Sequence, residues 1–137
     1  MKTLMKKSVF IVCIIVVLLS VCAICLSKKR RNNHNDSDYV KQNIETIIKI
    51  QYRRADSAGL KDISTMDFID NLTEDFYKGF HFYAIDEKFM ETCRETDDGN
   101  LMISVRVDDW RGSYIQVFTL IKDGNNKYLI SKLQYDI

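Results

Sequence analysis

Positions 8–26, SVFIVCIIVVLLSVCAICL, form a run of 19 residues without a charge, a Gly or a Pro, and this run limits the fold more than any other feature. At about 1.5 Å per residue, a helix of that length reaches across a hydrocarbon core of about 30 Å, and it satisfies its own backbone groups in lipid. Core helices of soluble proteins are shorter and rarely lie between two basic clusters. Here Lys2, Lys6 and Lys7 precede the run, and Lys28, Lys29, Arg30 and Arg31 follow it. The reading is a basic tail at 1–7 and a transmembrane helix at 8–26. A cleaved signal peptide competes with it, since the three lysines make a proper n-region. Against cleavage, the run exceeds the usual apolar region of a signal peptide and no A-x-A-like site closes it.

Leu19-Ser20-Val21-Cys22 resembles a bacterial lipoprotein processing box, although Val21 stands where that motif wants a small residue. Orientation follows the bias of Lys and Arg in the flanks, and here it is nearly tied. A short basic tail ahead of an apolar run has the pattern of a signal anchor, which puts the rest of the chain outside the cell. The opposite insertion would set KKRR against anionic lipid and leave the globule in the cytosol.

Charge divides the chain at the same place. Of 137 residues, 20 are Lys or Arg and 19 are Asp or Glu, yet every acid lies at or beyond Asp36. Residues 36–137 hold 13 bases against 19 acids, a net charge of −6. A basic end suited to a membrane surface thus joins an acidic globule of about 100 residues, enough for one core and too few for two domains. Multidomain enzymes and large cofactor folds are excluded by that length. All seven Tyr, six of the seven Phe and Trp110 lie in this part, which argues against disorder. Nucleic-acid binding is disfavoured by the negative charge and by bases not gathered into one stripe.

Residues 27–37 (SKKRRNNHNDS) lack large apolar side chains and read as a polar tether, with His34 solvated. Asn35-Asp36-Ser37 and Asn71-Leu72-Thr73 match the glycosylation sequon, which matters only in a eukaryotic lumen. Ser37 or Asp38 is suited to cap a helix whose apolar positions Val40, Ile44, Ile47 and Ile48 make one buried stripe, stopping before Gly59. Ser64-Thr65-Met66-Asp67 has the form of a capping box ahead of Phe68, Ile69 and Leu72. Thr73 begins a short turn with Phe76 and Tyr77, ended by Gly79.

Past Gly79 the period changes to two. Leu101, Ile103, Val105 and Val107 alternate with polar neighbours, as in a half-buried strand. Residues 114–122 (YIQVFTLIK) are apolar on both faces, as for an interior strand, and 128–136 (YLISKLQYD) make a third. Turn signals at Asp97-Asp98-Gly99-Asn100, Arg111-Gly112 and Asp123-Gly124-Asn125-Asn126 join them as antiparallel neighbours. Residues 89–95 are expected to pair with the strand beginning near Leu101, and 81–85 to add a short one. The expectation for 38–137 is an α+β globule, with helices packed on a curved antiparallel sheet of four to five strands.

An opening amphipathic helix, a second helical element with aromatic residues, and a meander ending in KYLISKLQYDI resemble the NTF2-like, cystatin-like class of small domains. Basic tail, anchor, tether and such a domain together are similar to VirB8-type subunits of conjugation machinery and to single-pass proteins of low-GC Gram-positive bacteria. The resemblance spans 38–137 and is one of element order. It implies a sheet that curls around a pocket or presents a face for oligomerisation, and it transfers no catalytic residue.

Enzymes on such folds use an Asp in an apolar pocket with Tyr or Asp donors, because burial raises a carboxyl pKa. Asp86 or Asp108 with Tyr83 or Tyr114 would be the set here, but both acids adjoin strand ends, where short acids form turns. Cys93 would need a base beside it, and the chain has only His34 and His81. His81 reads as a partly buried packing residue. Cys22-Ala-Ile-Cys25 has redox or zinc spacing, but within lipid it reads as small, soft helix packing. The Asp-rich turns offer oxygen ligands for calcium without the spacing of an EF-hand loop.

Trp110 with Arg111, at the tip between two strands, is the candidate partner contact, since both residue types are enriched at interface hot spots. The alternative folds Trp110 back over the sheet end. The expected function is a membrane-anchored, non-catalytic domain, without cofactor or metal, that binds a membrane protein partner or its own copies. Two alternatives are a pocket domain that binds or converts a small apolar ligand, and a secreted protein after signal-peptide cleavage.

Overall fold

The computed structural model describes residues 2–136, apart from the side chains at 2, 4 and 29–35. It divides into two compact units, Met1–Asn35 and Asp36–Ile137. The side chains of His34 and Asn35, and of Lys29, Arg30 and Arg31, lie outside the described residues.

In the first unit, Met5–Lys28 is helical and long and apolar enough to cross a membrane or to serve as a signal sequence. Its large apolar side chains, Val9, Ile11, Leu19 and Ile24 among them, are exposed. Ser20 and Ser27 return their hydroxyls to the carbonyls of Val16 and Ala23, so neither leaves a polar group unpaired.

Helix α1 is assigned over Lys2–Gln51 without the expected break at Ser37 or Asp38. Residues 27–37 are helical and continue the backbone ladder, with no Gly or Pro among them to break it. The C-terminal end comes earlier than Gly59. Arg54 N–H bonds the carbonyl of Lys49 at 2.7 Å and Arg53 N–H that of Ile50 at 3.0 Å, with Arg53 at φ 55°. This is a Schellman stop with arginine in the left-handed position usually given to glycine.

Within the second unit, the α1 stripe Val40, Ile44, Ile47 and Ile48 is buried, as is Tyr52 just past the helix end. It shares one cluster with Leu60 and Ile63 of α2 (Leu60–Ile63), Phe68 of α3 (Met66–Asp70), and Phe76 from the 3-10 turn Glu74–Phe76. Thr65, not Ser64, caps α3, its hydroxyl accepting from Phe68 N–H at 3.2 Å. Ser64 instead donates to the Leu60 carbonyl.

The sheet is antiparallel and open, with five strands: β1 (Tyr83–Ile85), β2 (Arg94–Glu95), β3 (Leu101–Asp109), β4 (Gly112–Lys122) and β5 (Tyr128–Asp136). β3, β4 and β5 form the expected meander; β1 pairs with one end of β3 and β2 with the other. Ile103, Val105 and Val107 share the core side of the sheet with Phe118, Leu120 and Ile130, so the α+β expectation holds at this level. The expected strand at 89–95 shrinks to β2, preceded by a 3-10 turn at Phe89–Thr92. Thr92 explains it. Its hydroxyl bonds the Phe89 carbonyl and both backbone groups of Ser104, replacing a ladder that would have kept the segment extended.

Candidate functional site

The inward row of β3 does not end at Val107, because the same parity brings Asp109 to the core face. Asp109 and Gly112 are paired, which leaves Trp110 and Arg111 as a two-residue hairpin loop, with Gly112 at φ 128°. One Asp109 oxygen accepts from Arg111 N–H at 2.8 Å and fixes that turn. The other accepts from the Arg111 guanidinium at 2.8 Å, the Tyr52 hydroxyl at 2.5 Å and the Tyr114 hydroxyl at 3.3 Å. Its side chain is wholly shielded from solvent.

Burial works against the Asp109 charge, but the hydrogen bonds from Arg111 and Tyr52 outweigh it and hold the carboxyl well below the usual carboxylate range. Burial, and next the bond to Asp109, pushes the Tyr52 phenol far above its ordinary value. Burial, then Tyr114, pushes Tyr135 up to about 12. Gln116 donates to Gln51 at 3.0 Å, and Gln51 donates to the Tyr135 hydroxyl at 3.2 Å, so a second polar row runs from buried Gln116 and Gln51 out to the partly exposed Tyr135. An ionised carboxylate saturated by an arginine and two phenols is a poor base, and its chemistry is that of a brace joining α1 to the sheet.

Outside this brace lies an aromatic surface. Phe82 is 91 % exposed, Phe80 67 % and Trp110 66 %. Trp110 keeps most of its ring in water, and that ring lies 5.0 Å from the ring of His81, centroid to centroid. Guanidinium groups lie over these rings: Arg53 over Phe80 at 5.4 Å, Arg54 over Phe82 at 5.7 Å and Arg111 over Trp110 at 5.7 Å. Arg54 also donates to the Phe80 carbonyl at 3.3 Å. Lys78 sits 4.5 Å from the centre of the Tyr135 ring, and its N–H bonds the Gln51 carbonyl at 2.7 Å, strapping residues 77–82 across the end of α1. The Schellman stop aims Arg53 and Arg54 at this surface, so a strained backbone position coincides with it.

The other sequence candidates fall elsewhere. Asp86 is exposed and accepts from Lys88 N–H at 3.0 Å, as in a turn. Asp108 is exposed on the opposite face of β3 from Tyr114, held below its ordinary pKa by Ser113 and then Arg106. Tyr83 stacks on Tyr52 at 4.5 Å, and neither Asp86 nor Asp108 meets it. Tyr114 does meet an acid, Asp109. Burial, and next Glu95, pushes the Cys93 thiol up, away from the thiolate that nucleophilic attack needs. The Asp123 carboxylate is occupied by the backbone N–H groups of Asn125 and Lys127, at 2.8 and 2.9 Å. Sequence reasoning missed Asp109 and Tyr52, although both continue apolar rows already in view.

Comparison of the chain with protein-family models, with curated proteins and with solved structures returns no match.

Proposed function

We propose that this chain is a membrane-anchored, non-catalytic domain that binds a protein partner through the aromatic and basic surface around Trp110 and Arg111. The exposure of Phe80, Phe82 and Trp110, each beneath a guanidinium, carries the reading. Large aromatics left in water cost free energy unless something covers them, and Trp and Arg dominate interface hot spots. The apolar helix serves as the anchor, with the domain on the extracytoplasmic side. Anchoring raises the effective concentration toward partners in the same membrane, so modest affinity suffices.

The helices on one sheet face support an NTF2-like arrangement of the kind that assembles membrane complexes. Ligand turnover is the weaker reading. Ile44, Ile48 and Tyr52 pack with Ile103, Val105 and Phe118 on the concave face, and the buried acid there is already paired. Photocrosslinking from Trp110 in native membranes tests the proposal. It expects a discrete protein adduct, and recovery of the uncrosslinked chain alone would reject it.

A further inference from the structure

The aromatic surface borders its own complement. Between α3 with its following turn and β5 runs a cleft of about 330 Å³, with Phe68, Leu72, Phe76 and Leu133 as its apolar lining and Asp67, Asp75 and Lys132 as its charged lining. Asp70 and Glu74 are exposed on the same helix and turn, so acids outnumber Lys132 in this part of the domain. Tyr135 lines this cleft and also lies under Lys78, so the cleft and the basic surface meet at that residue. Arg53, Arg54 and Arg111 stand on the aromatic side of this border and Asp67 and Asp75 line the cleft, while Lys78 lies at the border itself, its ammonium donating to the Asp75 carbonyl at 2.6 Å.

We propose that the partner of the aromatic surface is a second copy of the same chain, with Trp110 and its arginines set against the acidic cleft. Neighbouring patches of opposite sign on one molecule suit a two-fold contact, since each copy then supplies both halves and the contact is made twice. A single aromatic surface would not hold such a pair in dilute solution. Three exposed rings offer on the order of 500 Å², less than the roughly 800 Å² per partner of a stable complex. Confinement to a membrane compensates by raising the effective concentration. The inference rests on the proposed function and narrows its partner to one class.

The test uses the full chain in vesicles, with benzoylphenylalanine at Phe82 as the photocrosslinker. Arg53→Glu with Arg54→Glu in one variant, and Asp67→Lys with Asp75→Lys in another, should each lower dimer yield at least tenfold. Reconstituted together, the two reversed variants should recover a mixed dimer, because each then carries the charge the other lacks. Circular dichroism of each variant separates loss of contact from loss of fold, all four positions being exposed or on the surface rim. Dimer yield unaffected by charge reversal, no rescue on mixing, or crosslinking to lipid alone would overturn the inference. A Trp110-dependent adduct to a different protein in native membranes would overturn self-pairing while sparing the proposed function; no adduct of any kind would end both.

Discussion

The Tyr52 hydroxyl donates to the Asp109 carboxylate at 2.5 Å, tying the end of α1 to the last inward residue of β3. Both lie at the rim of the aromatic surface, so one buried bond sets the spacing between Arg53, which follows Tyr52, and Trp110, which follows Asp109. Core packing and candidate interface thus meet at this bond, and it is substitutions beyond it, at Arg53 and Trp110, that separate stability from binding.

Removing the carboxylate should be costly. Breaking a buried ion pair costs about 3–5 kcal/mol when the orphaned charge stays buried. The Arg111 side chain is 39 % exposed, so water relieves part of that. Asp109→Ala should therefore destabilise by about 2–3 kcal/mol, with most of the loss from unpaired Tyr52 and Arg111 donors. Tyr52→Phe should cost about 1.5 kcal/mol, since Arg111 and Tyr114 still serve the carboxylate. Urea unfolding of both variants checks the order.

Stability should fall at both pH extremes. The Asp109 carboxyl is depressed in the fold, so its contribution is present above the unfolded value of about 3.9 and is lost as pH drops below it. Asp109→Asn should flatten the acid limb of the stability curve. Tyr52 and Tyr135 are raised, so their contribution holds below about 10 and is lost as pH climbs past it, Tyr135 titrating near about 12. Denaturant midpoints between pH 3 and 11 measure both limbs.

Arg53→Gly should stabilise the domain by about 1 kcal/mol, because glycine meets no Cβ penalty at a φ of 55°. The same change removes the cation over Phe80 and should weaken partner crosslinking. A gain in thermal midpoint with a loss of adduct would show an arginine kept there at the expense of stability.

Trp110→Ala should leave stability within about 0.5 kcal/mol, since the ring is mostly in water, and should abolish the adduct formed by a photocrosslinker at Phe82. A large drop in stability would recast Trp110 as a packing residue.

Periodicity made much of this fold legible. The stripe from Val40 to Ile48 and the alternation of Ile103, Val105 and Val107 both lie in the core, and β5 begins and ends where its apolar pattern does. Asp109 escaped because a charged residue at a strand end looks like turn chemistry, although one more step of two along β3 places it inside. The stop of α1 escaped because the reading looked to Gly59, whereas Arg53 occupies the left-handed position. The strand at 89–95 was lost to a threonine hydroxyl, a tertiary contact that no pattern in the sequence carries. The aromatic surface was visible only at Trp110. Phe80 and Phe82 join it through the strap over α1, which depends on long-range bonds such as Lys78 to Gln51.

The most direct measurement is carbonate extraction of native membranes after photocrosslinking from Trp110. An anchored interaction domain predicts the full-length, uncleaved chain in the pellet, covalently joined to a protein partner. A chain released to the supernatant, or retained without any adduct, would contradict the account.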